Sequence, residues 1–255
     1  LVLLGSSPRF VQEPAMSFFL TSTGPGNGAD LGGLEGADRY CRMLARAVGG
    51  DDERTWRAYL STTGGGGVDA QDRIGDGPWY NSRGVRIADN VANLHSDSNN
   101  LTKETQLSEM GLTINGRGDS PNRHDIITGS QMDGTAASAG DDTTCSNWTS
   151  HGEGSALVGH HDRQGGGANP TSWNSAHASR GCSQENLQGT GGDGLFYIPG
   201  IGLHQVVGVC YQAVRGGPQA VVLSLRVEAG DQWCHSPGPL PQSGNRALGA
   251  DRHSR

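Results

Sequence analysis

The residues best suited to chemistry are histidines and an aspartate concentrated in one stretch. The segment VGHHDRQGGGANPTSWNSAH contains His160, His161, Asp162 and His177, and His151 precedes it. Imidazoles and carboxylates are common zinc ligands, so His160, Asp162 and His177 are candidate ligands of a zinc ion. Adjacent histidines on a strand point to opposite faces, so His160 and His161 are not expected to bind one ion together. The competing interpretation, in which these side chains hydrogen-bond the surrounding loops, is favoured because the sequence has no HExxH or CxxC motif.

Carboxylates elsewhere in the chain form a second candidate metal site. Calcium prefers several oxygen ligands, carboxylates among them. The candidate calcium ligands are the acidic residues of neighbouring segments: Asp133, Asp141, Asp142 and Glu185. A calcium ion there would organise loops, and calcium is the candidate cofactor, although the sequence establishes none.

The triplet Arg117-Gly118-Asp119, followed by Ser120-Pro121, is a candidate cell-adhesion loop. Its context, INGRGDSPNRHDIITG, is rich in Gly, Asp, Ser, Pro and Asn, which favour turns. A turn that leads into the following strand accounts for all of them. We therefore favour a structural turn, capped by the side chain of Asp119, over adhesion through the triplet.

The composition limits both the core and the partners. The 255 residues include 42 glycines and only 33% hydrophobic residues, which predicts a modest core and many loops. A net charge of −7 argues against nucleic acid, heparin or an anionic membrane as the main partner. No apolar run reaches the length of a membrane span. The sequence also lacks G-x-S-x-G and phosphate-loop motifs, which favours a non-enzymatic role.

The first fifteen residues, LVLLGSSPRFVQEPA, are typical of the end of a signal-peptide core followed by a cleavage region. The alternative is a non-coding stretch that precedes Met16. A signal peptide predicts export to an oxidising compartment, with the protein secreted, periplasmic or at the cell surface. The five cysteines are then candidates for disulfides.

Several local patterns predict the elements that position these residues. The segment LEGADRYCRMLARAVGG has apolar residues at helical spacing, which places Cys41 on the buried face of a helix. Short strands are predicted where apolar and β-branched residues are bounded by turn residues: 17–24, 55–62, 125–130, 145–150, 155–162 and 192–198. One early helix and many short strands between long loops predict an α+β domain with a disulfide framework.

GADRYCRMLARAVG followed by TWRAYLST resembles the opening helix and strand of the endostatin-like domains found at the C-termini of certain collagens. The resemblance continues in the same order through CSNWTS, GSALVGH and SRGCSQENLQGTGGDGLFY, and bacterial secreted proteins carry similar blocks. It implies a C-type-lectin-like fold over residues 16–197, with two helices, a small twisted antiparallel sheet, and long loops held by nested disulfides.

The resemblance also implies two disulfides. The inner one would join Cys145 to Cys182. The outer one would join Cys41 to a cysteine just after Tyr197, but Ile198 stands at that position. Losing a bridge that closes so long a loop would cost roughly 2–5 kcal/mol, so the partner of Cys41 matters for stability.

Residues 198–255 differ in sequence pattern from the rest of the chain. They lack the regular alternation of turn residues and short strand segments that precedes them. Their end has no hydrophobic periodicity, which is typical of disorder. The favoured interpretation is an atypical tail, disordered or produced by a shifted or over-extended reading frame. The alternative is a genuine extension in which Cys210 becomes the partner of Cys41.

Together these features predict an exported, non-enzymatic binding module for a glycan or another extracellular ligand, such as a protein. Loops on a scaffold commonly form a recognition face. The candidate ligand-binding residues are aromatic or amide side chains: Trp79, Tyr80, Trp173 and Asn174. Trp173-Asn174-Ser175 keeps the Trp-Asn of the lectin sugar motif but not its Asp, and core packing is the competing interpretation for Trp173. The alternatives for function are adhesion through Arg117-Gly118-Asp119 and a metal-dependent enzyme.

Overall fold

The computed structural model describes residues 16–50, 54–138, 140–190 and 208–213. These residues form small antiparallel sheets and few helices, in agreement with the predicted α+β class. In chain order the elements are β1 (Phe18–Leu20), α1 (Gly33–Ala47), β2 (Trp56–Ala58), α2 (Ala70–Arg73), β3 (Trp79–Tyr80), β4 (Arg86–Ala88), α3 (Val91–Leu94), β5 (Asp125–Ile127), α4 (Cys145–Trp148), β6 (Leu157–His160), β7 (His177–Ala178), α5 (Gln184–Thr190) and β8 (Val209–Gln212). None of these helices is long and apolar enough to cross a membrane.

The main sheet has the strand order β1-β8-β2, with both outer strands antiparallel to the central one. Cys210 in β8 lies opposite Phe19 in β1 and Ala58 in β2. The central strand thus comes from residues 198–255, which the sequence patterns assigned to an atypical tail. Residues 208–213 belong to the domain instead, because β8 supplies the backbone partners of both β1 and β2.

The other parts of these predictions fall outside the described residues. They are the leader over residues 1–15, the strand over 192–198, and the rest of the tail. The hypothesis of a shifted reading frame therefore stays a prediction.

Helix α1 packs its apolar face against β2. Its buried apolar side chains recur at helical spacing, as the periodicity predicted: Ala37, Cys41, Leu44 and Ala45, with Asp38 buried beside them. Cys41 forms a disulfide with Cys210, so the helix is covalently joined to the central strand of the sheet. Cys210 is thus the partner of Cys41, as in the alternative interpretation that treats residues 198–255 as a genuine extension.

The main sheet lies between two hydrophobic clusters. Phe19 belongs to the cluster beneath α1, whereas Phe18 and Leu20 belong to the cluster on the opposite side. Successive side chains of a strand point to opposite faces, which explains why all three residues of β1 are buried. Tyr211 of β8 joins the second cluster, where its ring contacts the ring of Trp79 at a centroid distance of 5.4 Å.

A second three-stranded sheet has the order β5-β6-β7, again antiparallel, and β3 pairs with β4 in a separate hairpin. Cys145 and Cys182 form a disulfide, which confirms the inner bridge that the resemblance implied. Their Cα atoms lie 5.7 Å apart, within the normal range for a bridge.

The segment 145–150, predicted as a strand, contains a single helical turn instead. Four consecutive residues, Cys145–Trp148, have φ values between 50° and 67°. The turn buries Cys145 at its disulfide and lets the indole N–H of Trp148 donate to the carbonyl of Ser61 at 2.8 Å. Long-range contacts therefore set the backbone of this segment, not its local propensity for a strand.

A buried ion pair joins α1 to α2. Asp38 in α1 accepts hydrogen bonds from both Arg73 in α2, at 2.8 Å, and Arg57 in β2, at 2.7 Å. The backbone N–H of Ala58 donates to the same carboxylate at 2.9 Å. The side chains of Asp38 and Arg73 are only 5% and 9% exposed, so both charges are largely shielded from water.

Replacing Asp38 by Ala is expected to lower the free energy of unfolding by about 3–5 kcal/mol, because the Arg73 guanidinium would stay buried without its partner. Urea unfolding followed by circular dichroism measures the change. Asp89→Ala is the matched control, since it removes the exposed ion pair with Arg86 and is expected to leave the midpoint nearly unchanged. Equal midpoints for the two variants would contradict the importance of the buried pair.

Candidate functional site

A pocket of about 250 Å³ opens between the loop after α3 and the loop after β6. Many of the side chains that line it are polar or charged: His95, Asp97, Arg163, Asn169, Ser172 and Asn174. Met132 adds an apolar edge, with 54% of its surface exposed. This mixture of donors, acceptors and one exposed apolar side chain suits a small polar ligand.

Arg163 is held at the edge of the pocket by neighbouring acceptors. Its guanidinium donates to Oδ1 of Asn99 at 2.9 Å and lies 3.4 Å from Oδ1 of Asp97. The Asp97 side chain is fully exposed. A guanidinium has five N–H donors, so Arg163 has donors to offer to a ligand in addition to those used here.

A chain of hydrogen bonds runs beneath the pocket. Nδ1 of His95 donates to the carbonyl of Val91 at 2.8 Å, which leaves Nε2 to accept from the Tyr59 hydroxyl at 2.6 Å. The amide of Asn174 donates in turn to the same hydroxyl oxygen at 3.1 Å. Burial lowers the pKa of His95 and raises the pKa of Tyr59, so both groups stay neutral at neutral pH.

The predicted ligand-binding residues divide into two groups. Trp173 and Asn174 line the pocket, but they are only 3% and 1% exposed, so they offer a ligand little accessible surface. Trp79 is fully buried and Tyr80 half-buried, and neither lines the pocket. Stacking of a ligand on Trp79 or Trp173 is therefore corrected to core packing, because both indoles belong to the second hydrophobic cluster.

The register of the second sheet brings several histidines around one carboxylate. Asp125 in β5 lies directly opposite His160 in β6. His177 in β7 lies opposite Val158, which is two residues before His160 and on the same face of β6. His124, adjacent to Asp125 in the chain, stacks its ring on that of His160 with centroids 4.4 Å apart.

These side chains converge on the carboxylate of Asp125. Its Oδ1 lies 3.2 Å from Nε2 of His124, 3.4 Å from Nε2 of His160 and 3.7 Å from Nε2 of His177. Neither oxygen of Asp125 has a hydrogen-bond partner among the described residues, although the side chain is only 7% exposed. Burial raises the pKa of Asp125, and the charges of the three histidines offset this effect only in part.

The pKa values of two of the histidines are shifted in opposite directions. Burial lowers the pKa of His160. Burial also acts to lower the pKa of His124, but the hydrogen bond to Asp162 and the charge of Asp125 outweigh it, so the pKa of His124 is raised. The cluster therefore contains one imidazole that protonates readily and one that resists protonation.

The candidate zinc set His160, Asp162 and His177 is only partly brought together. His160 and His177 meet at Asp125, whereas Asp162 lies behind His124, with its Oδ1 3.5 Å from Nδ1 of that ring. Asp162 also accepts from the backbone N–H of Arg117, a contact that, with the others, holds its pKa well below the usual range against the effect of burial.

His161 points to the other face, as predicted. Its Nε2 hydrogen-bonds the carbonyl of Asn115 at 3.0 Å, away from the cluster. His124 and Asp125 were missed because they stand at the start of a predicted strand, far in the chain from the His-rich stretch. The available signal was a His-Asp pair at the start of one strand and a His-His pair at the end of another, since antiparallel pairing places such ends together.

The candidate calcium ligands Asp133, Asp141, Asp142 and Glu185 do not converge. Among the described residues, the group of His, Cys, Asp and Glu side chains close enough to hold an ion is His124, Asp125 and His160. Oδ1 of Asp133 instead accepts from the backbone and hydroxyl of Thr135, and Asp142 accepts from Thr144 and Ser146. Asp133 and Asp142 therefore cap local turns, and among the described residues the four carboxylates do not form a shared calcium site.

The Arg117-Gly118-Asp119 triplet forms a turn, with Gly118 at φ 86°. Oδ2 of Asp119 accepts from the backbone N–H of Gly116 at 2.7 Å, which confirms the predicted capping of the turn. The same oxygen pairs with Nζ of Lys103 at 2.5 Å, and this hydrogen bond is the main cause that lowers the pKa of Asp119. The Asp119 carboxylate is thus already paired within the chain, while adhesion through the triplet stays a prediction.

A scan against protein-family models finds no match to this chain, and a search of curated proteins finds no similar sequence. Function must therefore be inferred from the pocket and the His/Asp cluster themselves.

Proposed function

We propose that this chain is an exported, non-enzymatic binding domain of the endostatin-like, C-type-lectin-like type, and that it binds a glycan or another small polar extracellular ligand. The observation that carries the proposal is the pocket of about 250 Å³ beside Trp173 and Asn174. Pockets for drug-sized ligands measure about 300–1,000 Å³, so the volume suits one sugar unit better than a long oligosaccharide.

The chemistry of the pocket supports a ligand rich in hydroxyl groups. Arg163 offers N–H donors at the edge, while Asp97 and the hydroxyl of Ser96 offer acceptors. Such paired donors and acceptors match a sugar hydroxyl, which both donates and accepts. Met132 would cover an apolar face of the ligand.

The mode of binding differs from that of lectins that hold sugar through calcium. Asn174 uses its amide nitrogen to donate to Tyr59 and to the carbonyls of Gln131 and Met132, while its Oδ1 accepts from Ser172. The Trp-Asn element therefore supports the pocket from behind, and ligand recognition falls to the side chains at the edge.

Export is supported by the two disulfides. Cys41–Cys210 and Cys145–Cys182 form and persist in oxidising compartments, such as the periplasm or the extracellular space. A protein that meets its ligand outside the cytosol is consistent with the acidic net charge, which does not attract nucleic acid.

The test is a glycan array with the purified wild-type protein, followed by calorimetric titration of the best monosaccharide or disaccharide. Arg163→Ala is expected to weaken binding roughly 10-fold or more, because a hydrogen bond from a charged group contributes about 1.5–3 kcal/mol. Arg86→Ala is the control, since Arg86 also pairs with an exposed aspartate but does not line the pocket.

Two outcomes would overturn the proposal in different ways. An array without a reproducible sugar signal would remove glycans as the ligand class. Sugar binding that survives both Arg163→Ala and Asp97→Ala, with circular dichroism unchanged, would place recognition outside this pocket.

A further inference from the structure

We propose that His124, Asp125, His160 and His177 bind one divalent transition-metal ion of the zinc class. The site lies on the face shared by β5, β6 and β7 and is separate from the residues assigned to ligand binding. Three of the four, His124, Asp125 and His160, have ligand atoms that all lie within 4.8 Å of one another. His177 lies outside this group of three, but its Nε2 is 3.7 Å from Oδ1 of Asp125, so a movement of its side chain would make it the fourth ligand.

The distances between the Asp125 carboxylate and the imidazole nitrogens fit a tetrahedral ion. Zinc binds nitrogen and oxygen ligands at about 2.0–2.2 Å, and a tetrahedron with such bonds has ligands roughly 3.3–3.6 Å apart. The three distances from Oδ1 of Asp125 to the imidazole Nε2 atoms are 3.2, 3.4 and 3.7 Å. An ion bound by His124, Asp125 and His160 would need small side-chain adjustments, and His177 would need a larger one to join them.

The tautomers of the histidines favour metal binding. In each ring Nδ1 faces a backbone carbonyl, which can only accept, so Nδ1 carries the proton and a neutral ring presents the lone pair of Nε2 to Asp125. The three bonds join Nδ1 of His124, His160 and His177 to the carbonyls of Gln164, Pro170 and Ala178, at 2.8, 2.8 and 3.0 Å. Metal-binding histidines characteristically donate their second N–H in this way.

Several buried polar atoms of the cluster have no hydrogen-bond partner among the described residues. Both oxygens of Asp125 and Nε2 of His160 are buried without a hydrogen-bond partner. A buried carboxylate is costly unless it is paired or bound to a metal. A single proton shared between Asp125 and one imidazole would satisfy one Nε2 and leave the other two lone pairs facing the carboxylate, whereas a cation would satisfy all of them.

The donor set determines the class of metal. Imidazole nitrogens suit zinc, copper, nickel and iron, whereas calcium and magnesium prefer sites made of oxygen. Four protein ligands also fill a tetrahedral shell, which is typical of a structural site and leaves no position for a substrate. We therefore infer a structural ion that links the three strands of the second sheet.

The sequence provides both a cover and an entrance for the ion. The run QGGGAN crosses the cluster, and a Cβ atom at Gly165 would overlap the His160 ring, so a glycine is needed there. The side chain of His177 is 24% exposed, in contrast to the buried His160, which gives an ion a path from solvent.

The test uses untagged, folded protein that has been treated with a chelator and then freed of it. Calorimetric titration with Zn²⁺ is expected to give one tight equivalent, and Co²⁺ is expected to give the visible absorption of a tetrahedral site, while Ca²⁺ gives neither. His177→Ala and His160→Gln are each expected to weaken Zn²⁺ binding by more than the roughly 10–100-fold that changes behind the ligands cause.

Circular dichroism separates loss of the site from loss of the fold. His177→Ala removes a partly exposed side chain at the edge of the sheet, so its spectrum is expected to match the wild type. His151→Ala is the matched control, because His151 is 66% exposed and lies outside the cluster. Absence of stoichiometric Zn²⁺ binding by the wild type would overturn the proposal, and so would unchanged affinity in a folded His177→Ala variant.

Discussion

A chain that ends after Tyr197 is expected not to fold, because it lacks the central strand of the main sheet. Strand β8 pairs with β1 on one side and with β2 on the other, and Val209, Cys210 and Tyr211 are at most 1% exposed. Burial of a Val side chain contributes about 1.5–3 kcal/mol, and losing the whole strand approaches the 5–15 kcal/mol by which whole domains are stable.

The matched control is a chain that ends after Gly217. It keeps the entire compact unit to which the described residues belong, since that unit extends from Leu1 to Gly217. We expect this chain to show a cooperative urea transition by circular dichroism, and the chain ending at Tyr197 to show none. A cooperative transition in the shorter chain would mean that the sheet forms without β8 and would restore the interpretation of residues 198–255 as a tail.

The elements that sequence predicted correctly are those defined by local periodicity. Helix α1 has a polar and an apolar face, so its buried residues could be read from spacing alone. The strands β1, β2, β5 and β6 lie within runs of apolar and β-branched residues bounded by turn signals. In each case the information lies within about ten neighbouring residues, which is the range in which sequence patterns act.

What sequence could not predict depends on pairing over long distances. Val-Cys-Tyr-Gln of β8 is too short to stand out among glycine-rich neighbours, and only the open edges of β1 and β2 give it a place. The resemblance implied a cysteine at the position of Ile198. The partner of Cys41 is instead Cys210, twelve residues later in the chain.

The candidate site shows the same limit. His160 and His177 could be identified as potential ligands by type, but Asp125 was not, because its role follows from the register of β5 with β6. A shift of that register by one residue would move Asp125 to the other face of the sheet. The residue types thus identify His160 and His177 as potential ligands, whereas the position of Asp125 beside them depends on how the strands pair.

The two candidate sites share one segment of the chain. Pro170 lines the pocket, and its carbonyl accepts the hydrogen bond from Nδ1 of His160 in the cluster. Arg163 at the edge of the pocket directly follows Asp162, which contacts His124. Side-chain changes at Arg163 and Asp97, at the edge of the pocket, are therefore expected to leave the hydrogen bonds of the cluster in place.

Replacing Cys41 and Cys210 together by Ala is expected to lower the free energy of unfolding by roughly 5 kcal/mol on the chain-entropy model, within the usual range of about 2–5 kcal/mol for native disulfides. The reason is the length of the closed loop, since the two cysteines are 169 residues apart. A crosslink over so long a loop strongly restricts the unfolded chain. Urea unfolding under non-reducing conditions measures the difference.

The double variant of Cys145 and Cys182 is the internal comparison, because that bridge spans only 37 residues. The same model assigns it roughly 4 kcal/mol, so the order of the two losses tests the model independently of their size. Peptide mapping of the wild type is expected to recover both linked pairs. A greater loss for the shorter bridge would mean that packing around Cys145, next to the buried Trp148, outweighs the entropy of the unfolded chain. Recovery of Cys41 bonded to a cysteine other than Cys210 would contradict the placement of β8 at the centre of the sheet.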